Sequence, residues 1–455
     1  MADILPFRGT RYNNQLIPDL SLVISPPYDV ISKEMQDALY QRHPNNVVRL
    51  ILTKDEDDDN FSDKYTRAAN YLRTWRSEGI LIEDHQPSLY LYEQQFKMAD
   101  GRTKTRRGFF ALVKLQDYQE GGIRAHEHTF AGPKADRFKL LKATKANLSP
   151  IFLIYNDPEK SVSSLIEERM DSTRPWASIT DEDGVVHRLW VVSKKDFITA
   201  VRENMAPKEL FIADGHHRYE TALAYRDFMR SETGLKDGKQ SFDYTMVYLS
   251  HAEQDGLVIL PTHRALSRTL MADVNLKESL EELADHFNVT SEKVDLAKGK
   301  SVAKNITDKV AKLGAKRTAF AMIEASGKVY YLQLKENVEP AELIDSDEIP
   351  DAVKRLDVSI LHQFIINRVF IGNPDFELEE DDCFYVRDVS KLFEMLKSKK
   401  AVVGFVMNPT PMSQVLEIVA AGIKMPHKST YFHPKLADGL VMRDMSLETT
   451  KRVRG

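Results

Sequence analysis

The sequence contains 455 residues, of which 42% are hydrophobic, and it carries a formal net charge of −5 and a single cysteine, Cys383. This composition excludes a disordered chain, an internal disulfide and a cysteine-based zinc ribbon. The length predicts two or three domains, and the lack of a lysine- and arginine-dominated block predicts no large nucleic-acid-binding surface. Because no signal peptide and no apolar run of about 18 residues is recognisable, we expect a soluble, cytoplasmic protein without a membrane span.

The N-terminal region is predicted to mix short strands with helices. Residues 21–24 are a strand candidate that ends at a Pro-Pro pair, because proline removes a backbone donor. The Pro-Pro-Tyr-Asp string at residues 26–29 is interpreted as a rigid loop. Ser32 is a possible N-cap for a helix over residues 32–40. Residues 45–52 are interpreted as a turn that leads into a strand.

A β-hairpin follows. Residues 89–97 are predicted to pair with residues 105–113, because an Asp-Gly turn lies between the two apolar runs. Arg106 and Arg107 begin the second strand, where they are outward charges unless one of them points into a site. Residues 151–155 are predicted to form a further strand.

The stretch from residue 123 to residue 137 is dense in ionisable side chains. If residues 123–130 are extended, Glu127 faces opposite its two flanking histidines, since side chains alternate along a strand. His126 and the histidine at position 128 could share a metal ion, but two ligands without a cysteine make a weak site. Lys134 and Arg137 follow at the start of a predicted helix and are candidate phosphate-binding residues.

The central motif is Asp214-Gly215-His216-His217-Arg218, where an apolar run stops and a helical pattern begins. This order predicts a strand, a tight turn and a helix. Asp214 suits the N-cap of that helix, and Gly215 permits a positive φ. The free amides at a helix start favour an anion, usually phosphate, and the two histidines and the arginine add donors and charge. The alternative is an ordinary capped helix with exposed basic residues.

Two more polar clusters occur towards the C-terminus. His263 and Arg264 lie at the predicted end of a strand, where ligand groups gather in α/β sheets, although such a dipeptide is more often on the surface. A turn-containing string at residues 425–435 fits either an anion site or an exposed polar loop. Its candidate phosphate-binding residues are Lys428, Ser429, Thr430 and Lys435. We expect this string to lie near the Asp214 turn, because two phosphate-suited clusters are expected to share one ligand.

Several standard catalytic motifs are absent from the sequence. It contains no complete phosphate-loop motif, no dinucleotide-binding Gly-x-Gly-x-x-Gly, no His-Glu-x-x-His and no Gly-x-Ser-x-Gly. These absences disfavour a standard NTPase, dehydrogenase, zinc protease or α/β-hydrolase.

The central motif resembles the Asp-Gly-His-His-Arg element of the ParB/sulfiredoxin-like superfamily, which includes partition CTPases, sulfiredoxin and free-serine kinases. The longer string, together with Pro-Pro-Tyr-Asp and the C-terminal string, resembles a large bacterial and archaeal family known as domain of unknown function 1015. The resemblance implies a mixed α/β fold of the α+β class, with a ParB/sulfiredoxin-like core that carries large insertions. We expect a catalytic region at residues 1–265 and an α/β lobe at residues 266–455 that contributes the C-terminal anion site.

The resemblance also implies a function. Free-serine kinases carry a His-Glu pair upstream of the shared motif, and its glutamate is the general base. His126 and Glu127 match that pair in type and order, so Glu127 is the expected base and His126 and Asp214 are expected to assist. The expected reaction moves a phosphoryl group from a nucleotide, ATP or ADP first, or from pyrophosphate, to a small hydroxyl metabolite such as L-serine.

Mg²⁺ is expected to accompany the nucleotide, and the sequence does not identify its ligands. Neither a nucleic acid nor a membrane is expected as a partner. Two other functions stay open from the same phosphate site: a CTPase-like nucleotide-binding switch, and a phosphatase or nuclease.

Overall fold

The computed structural model describes residues 2–55, 63–127, 129, 131–379, 381–426 and 428–448. The chain divides into two compact units. Unit 1 consists of residues 1–258 and 434–455, and unit 2 consists of residues 259–433.

The strands are short except in one hairpin and its neighbours. In chain order they are β1 Ile4–Leu5, β2 Thr10–Tyr12, β3 Leu81–Glu83, β4 Leu89–Lys97, β5 Thr103–Lys114, β6 Ile123–Arg124, β7 Ala146–Asn147, β8 Ile151–Tyr155, β9 Ala177–Thr180, β10 Val186–Val192, β11 Leu210–Asp214, β12 Tyr244–His251, β13 Val258–Ile259, β14 His263–Ser267, β15 Phe287–Lys293, β16 Ala319–Glu324, β17 Lys328–Leu334, β18 Cys383–Val386, β19 Ala401–Met407, β20 Phe432–His433 and β21 Arg443–Asp444.

The helices vary from one turn to five. The α-helices are α1 Lys33–Arg42, α2 Val48–Ile51, α3 Lys64–Ser77, α4 Ala131–Thr144, α5 Ser163–Asp171, α6 Lys195–Met205, α7 His216–Thr233, α8 Leu276–His286, α9 Lys300–Leu313, α10 Asp351–Lys354, α11 Asp357–Ser359, α12 Val389–Lys397 and α13 Met412–Ala420. A π-helix spans Ile360–Ile371. Single 3-10 turns lie at Leu20–Leu22, Tyr28–Val30, Tyr118–Glu120, Ser241–Asp243, Leu296–Lys298, Pro340–Leu343 and Met445–Leu447.

Unit 1 is built on a mixed sheet. Among its described residues, nine strands pair in the order β6-β11-β8-β12-β5-β4-β10-β9, with β1 on β5. The pairs β11–β6 and β12–β8 are parallel, whereas β11–β8 and the β4–β5 hairpin are antiparallel. The predicted hairpin and the α+β class are therefore confirmed.

The core of unit 1 lies between this sheet and three helices. Apolar side chains of the sheet, among them those of β5, β8, β11 and β12, form one buried cluster with positions on α5, α6 and α7. Burying such side chains is the main source of stabilisation for a sheet covered by helices. The helical members of this core are Ile166, Met170, Ile198, Val201, Met205, Tyr219 and Ala222, and Val162 joins them at the N-cap of α5.

Unit 2 has a sheet of its own. In the part of unit 2 that the structure describes, six strands pair in the order β15-β17-β16-β19-β14-β18, and each pair is antiparallel. One face packs on α9 and α12 through Ile306, Val310 and Leu392. The π-helix contacts strand residues through aromatic pairs, with Phe364 and Phe287 ring centroids 6.4 Å apart.

The division of the chain differs from the expected boundary at 265/266. That boundary falls inside β14, whose five residues belong to the sheet of unit 2. The last part of the chain, from residue 434, returns to unit 1, where Asp438 pairs with Ser25 and Met442 pairs with Thr10 through backbone hydrogen bonds. A change in local composition near residue 266 cannot reveal that a later segment returns to the first unit.

Two predicted N-terminal strands are wrong. Leu20–Leu22 forms a 3-10 turn, because the Asp19 carboxylate accepts a hydrogen bond of 3.0 Å from the Ser21 amide. The strand expected near residue 48 is helix α2. There the Asn46 side chain accepts from the Val48 amide at 3.0 Å and donates to the Leu22 carbonyl at 2.8 Å, which fixes a helical start. In contrast, Ser32 caps α1 as predicted, through a 3.2 Å bond from the Met35 amide.

Among the described residues, no helix is both long enough and apolar enough to cross a membrane.

Candidate functional site

The central motif forms the predicted strand, turn and helix. Strand β11 ends at Asp214, Gly215 has φ of 92°, and α7 begins at His216. A Cβ atom on Gly215 would lie 3.0 Å from the Arg218 guanidinium. Positive φ and the close guanidinium together require glycine at this position.

Asp214 is not the N-cap of α7, so that prediction is wrong. Helix α7 has no side-chain hydrogen bond at its N-cap, which is Gly215. Both carboxylate oxygens of Asp214 bind cations instead. Oδ2 lies 2.6 Å from Arg218 Nη2, and Oδ1 accepts a hydrogen bond from Lys435 Nζ. Burial opposes ionisation, but Lys435 and Arg218 hold the pKa of the Asp214 carboxyl well below its ordinary value.

These three side chains form a nearly closed cluster, which we call the Asp214 cluster: Asp214, Arg218 and Lys435. Their side chains are only 16%, 11% and 13% exposed. Two cations face one carboxylate within the cluster, and the carboxyl groups of Asp29 and Asp438 also act on Arg218. Partly buried cations interact with anions more strongly than exposed ones do, since water screens them less.

Lys435 reaches this cluster because the backbone around it is held by buried side chains of the hairpin. Arg106 Nη2 donates to the Pro434 carbonyl at 2.6 Å, and Gln94 Nε2 donates to the Lys435 carbonyl at 2.9 Å. Arg106 and Gln94 are partners in the β4–β5 register, and both side chains are fully buried. From the sequence alone, Arg106 is a charge with two possible orientations, and Gln94 belongs to no recognisable motif.

A second group of side chains lies beside the turn: His126, Glu127 and His216. The rings of His126 and His216 meet edge to face with centroids 4.6 Å apart. His216 Nδ1 lies 3.5 Å from Glu127 Oε2, and His216 Nε2 accepts a hydrogen bond of 3.4 Å from the His126 amide. The expected His-Glu pair and the central motif are thus in direct contact.

Both imidazoles of this group are neutral. Burial lowers the pKa of His126 to about 4. Burial, followed by the neighbouring His126, lowers the pKa of His216 well below its ordinary value. Because Nε2 of His216 accepts the amide hydrogen bond, a neutral ring carries its proton on Nδ1, the nitrogen that faces Glu127. Glu127 is partly open to solvent, with 21% of its side chain exposed.

Lys134 and Arg137 are paired within the protein. Lys134 Nζ lies 2.9 Å from the Glu220 carboxylate, which also accepts from Thr129 Oγ1 at 2.5 Å. Arg137 donates to the Asp136 carboxylate through Nε at 2.8 Å and to a backbone carbonyl, and its guanidinium covers the Tyr28 ring at 4.0 Å. The Pro-Pro-Tyr-Asp loop is thereby attached to α4.

His217 is half-buried in the first turn of α7.

A buried carboxyl group lies behind Arg218. Asp438 is 1% exposed, its Oδ2 accepts a hydrogen bond of 2.6 Å from Ser149 Oγ, and its Oδ1 has no hydrogen-bond partner among the described residues. Burial raises the pKa of Asp438 to about 7, with Arg218 opposing the shift. Asp438 could not be recognised from the sequence, because an isolated aspartate beside a glycine forms no motif.

The remaining candidates belong to unit 2, and His263 and Arg264 begin strand β14 rather than end a strand. Both are buried. His263 Nδ1 accepts from the Met407 amide at 3.3 Å, and burial lowers its pKa to about 4. Arg264 donates to His362 Nε2 at 2.8 Å and to the Lys428 carbonyl at 3.2 Å. These contacts make the pair part of the interior of unit 2.

The C-terminal string shows one buried and one exposed candidate in unit 2. Ser429 is buried and its hydroxyl donates to the Pro426 carbonyl at 2.5 Å, whereas Lys428 is exposed with φ of 56°. Thr430 is half-buried. Of the four candidates in this string, Lys435 is the one that lies in unit 1 with Asp214.

Within the described ranges, no group of three or more His, Cys, Asp or Glu side chains has an arrangement that could hold a metal ion. The proposed partner of His126 at position 128 lies outside the described residues. A magnesium ion carried by a nucleotide needs only one or two protein carboxylates, since phosphates and water supply its other ligands. A metal ion that arrives with phosphates therefore fits this part of the structure better than an all-protein site does.

Unit 1 also contains an open cleft of about 670 Å³ whose lining includes Glu93, Arg107, Asp157 and His251. It lies beyond Tyr155, at the end of β8 opposite to the residue that pairs with Asp214. Its charges are largely paired with each other, for example Arg107 Nε with Glu93 Oε2 at 2.7 Å. The cleft is therefore separate from the Asp214 turn.

Comparison with known proteins identifies a family. A family model described as "Protein of unknown function (DUF1015)" matches residues 4–359. The C-terminal string lies outside the matched residues. None of the curated proteins matches the chain.

Solved structures give distant matches. One is a glutamate-to-glutamine mutant of a free serine kinase in complex with AMP, at 12% identity and a TM-score of 0.32, covering 71% of this chain and 87% of that chain. A conserved hypothetical protein from Pyrococcus furiosus has 13% identity and a TM-score of 0.33, with coverage of 74% and 97%. SbnI with a C-terminal truncation, from Staphylococcus aureus, has 10% identity and a TM-score of 0.33, with coverage of 75% and 90%. At these values the likeness carries no argument about activity.

Proposed function

For a chain that belongs to the DUF1015 family of proteins of unknown function, we propose the activity of a phosphotransferase. It moves a phosphoryl group from a nucleotide, ATP or ADP first, to the hydroxyl group of a small metabolite. Free L-serine is the leading acceptor, and O-phosphoserine is then the product. The nucleotide and serine named here come from the resemblance of the central motif, while the roles below come from the site.

The observation that carries the proposal is the adjacency of two groups around one turn. The Glu127 carboxylate lies 3.5 Å from the neutral ring of His216. Asp214 and Arg218, two residues before and after His216, form the Asp214 cluster with Lys435, so two cations lie beside the same turn. Phosphoryl transfer needs a base beside the acceptor hydroxyl and cations beside the transferred phosphate. Both requirements are met by side chains on one strand-turn-helix element and its neighbours.

The proposed step is balanced within this set of residues. The acceptor oxygen forms a bond to the terminal phosphorus while the bond from that phosphorus to the donor oxygen breaks. The acceptor proton moves to Glu127, whose orientation is supported by the Nδ1–H of His216. Arg218 and Lys435 stabilise the charge on the phosphoryl oxygens, and His217 and the free amides at the start of α7 donate hydrogen bonds to the remaining phosphates.

Mg²⁺ belongs to this proposal as an ion carried by the nucleotide. When bound, it would neutralise the charge of the donor phosphates. Lys428, Ser429 and Thr430 stay predictions as an anion site of unit 2.

The test is a product assay. Purified protein is incubated with nucleotide, Mg²⁺ and L-serine, and phosphorus NMR follows the phosphate signals. A phosphoserine resonance that depends on all three additions supports the proposal. Nucleotide consumption that is independent of serine would replace it with a phosphatase, and tight nucleotide binding without consumption would replace it with a nucleotide-binding switch. Other small hydroxyl compounds in the same assay identify the acceptor if serine is inert.

A further inference from the structure

The buried pair formed by Arg106 and Gln94 holds the backbone that carries Lys435. Arg106 Nη2 donates to the Pro434 carbonyl at 2.6 Å, Gln94 Nε2 donates to the Lys435 carbonyl at 2.9 Å, and Arg106 also binds Gln94 Oε1. The consecutive carbonyls of Pro434 and Lys435 thus accept hydrogen bonds from two side chains that are also hydrogen-bonded to each other. We call this arrangement the carbonyl clamp: Arg106 and Gln94 with the Pro434 and Lys435 carbonyls.

The carbonyl clamp contacts strand β8, which pairs with the strand that ends at Asp214. The Arg106 guanidinium lies 4.8 Å from the centroid of the Phe152 ring, and Phe152 is the residue that pairs with Asp214 in the β8–β11 register. Asp214 in turn binds Lys435 Nζ. The backbone and the side-chain nitrogen of Lys435 are therefore both held by groups of the same sheet.

A fully buried arginine is costly to place, because burial removes the guanidinium from water. Arg106 is 0% exposed, and burial lowers its pKa. An apolar residue would fill the same volume in a purely structural role at less cost. The partners of Arg106 include the backbone carbonyl beside Lys435, the side chain of Gln94 and the Tyr248 hydroxyl. Two of these three partners belong to the arrangement that holds the Lys435 backbone.

We propose that Arg106 and Gln94 are positioning residues that hold Lys435 in the geometry required to bind the phosphate groups of the donor. This proposal rests on the proposed function and extends it to two residues that do not touch the ligand. A long lysine side chain has many rotamers, so a fixed backbone increases the fraction of time for which Nζ faces the anion.

The experiment is a double-mutant cycle in the full chain, with pyrophosphate as the probe and calorimetry as the measurement. Lys435→Met should weaken pyrophosphate binding by about tenfold or more, the usual scale for one lost charged hydrogen bond. Gln94→Met and Arg106→Met should each weaken it by about three- to tenfold in the natural background. In the Lys435→Met background, the same two substitutions should have no further effect, because the residue that they position is gone.

The matched control is Arg443→Met. Arg443 is another fully buried arginine that holds the C-terminal segment, through the Tyr244 and Ser241 carbonyls at 2.6 and 2.9 Å and the Glu448 carboxylate at 2.7 Å. Its loss should lower the melting temperature and leave pyrophosphate affinity unchanged. If Arg106→Met does not fold, Gln94→Met decides the question alone, since that change keeps the buried charge.

Equal effects of Gln94→Met in the two backgrounds would assign the clamp a structural role only and overturn the proposal. Unchanged pyrophosphate affinity in a folded Gln94→Met protein would overturn it as well. A natural protein that binds no pyrophosphate would reject both this role and the phosphate site. If the substitutions are coupled in the double-mutant cycle but no phosphoserine forms in the product assay, the positioning role is kept and the proposed phosphotransferase activity is rejected.

Discussion

Lys435 Nζ donates a hydrogen bond to Oδ1 of Asp214 across a separation of 221 residues in the chain. The contact places a cation from the C-terminal segment on a carboxylate that Arg218 already binds. The carboxylate therefore fixes the positions of two cations and neutralises only one of them. An anion that enters this region meets positive charge whose geometry is set before binding.

Replacing the cation tests this arrangement. Lys435→Met should reduce the affinity for ADP and for pyrophosphate by a similar factor, about tenfold or more, because the phosphate contact is common to both ligands. Calorimetric titration measures both constants. Lys236→Met, which removes an exposed lysine of the same unit, is the matched control and should bind both ligands normally. Normal affinities in the Lys435 variant would place the phosphate site elsewhere.

Removing the proposed base should separate binding from catalysis. Glu127→Gln keeps the size of the side chain and part of its hydrogen bonding, so nucleotide affinity should stay within about twofold of normal. Phosphoserine formation should fall by about a hundredfold or more, the scale of a lost general base. Single-turnover rates and nucleotide titrations give the two numbers. A variant with near-normal turnover would exclude Glu127 as the base and direct attention to Asp29 and Asp136.

The turn itself makes a prediction about stability. Gly215→Ala should destabilise unit 1 by about 1–3 kcal/mol, because φ of 92° is unfavourable for alanine and its Cβ would contact the Arg218 guanidinium. Chemical unfolding followed by circular dichroism measures the loss. Gly121→Ala is the control for positive φ alone, since no atom lies within 4 Å of a Cβ at that glycine. A loss no larger than that of the control would show that the Arg218 contact is easily relieved.

Asp438 predicts a dependence of stability on pH. Its pKa is raised to about 7 in the folded protein, above the usual value of 3.8, so the folded state binds more protons than the unfolded state between these values. Its contribution to the free energy of unfolding therefore falls as pH rises from about 4 to about 7, by up to about 1.4 kcal/mol per pKa unit. The histidines act in the opposite direction. The lowered pKa values of His126 and His216 make stability fall as pH decreases below about 6.5.

The substitution Asp438→Asn removes the loss of stability at rising pH that Asp438 causes, and it leaves the loss at low pH that the two histidines cause. The variant should lose less stability than the natural protein when the pH is raised from about 5 to about 8, in unfolding experiments at a series of pH values. Asp237→Asn, at an exposed loop position, should reproduce the natural pH profile. An Asp438→Asn profile that parallels the natural one would mean that Asp438 is ionised throughout this range.

Features encoded by neighbouring residues could be predicted from the sequence. The Asp-Gly turn and the two alternating runs around it gave the β4–β5 hairpin, and the run that stops at Asp214 gave the strand, turn and helix. Ser32 was recognisable as a cap because its partner is three residues away. Such features depend on hydrogen bonds or side-chain periods within a few residues.

Features that depend on distant partners could not be predicted in the same way. The segment at Val48 has strand-like residues, but Asn46 fixes it as a helix by binding Leu22 and Ile24, more than 20 residues away. Asp214 has the residue type of an N-cap, yet two cations compete successfully for its oxygens, and one of them comes from the C-terminal segment. Tertiary contacts of buried polar or charged groups thus override local propensity.

The return of residues 434–448 to unit 1 has a consequence for the order of events during synthesis. Unit 2 leaves the ribosome before Lys435 does. The two carbonyls that Arg106 and Gln94 bind therefore reach the β4–β5 hairpin only after unit 2 has been synthesised. The two parts of unit 1 are separated by the 175 residues of unit 2, from residue 259 to residue 433. At translation rates of about 5–20 residues per second, these residues take about 10–35 seconds to emerge. During that interval Asp214 and Arg218 are present without their third partner. A nascent chain is therefore expected to bind phosphate ligands weakly until the segment with Lys435 docks on unit 1.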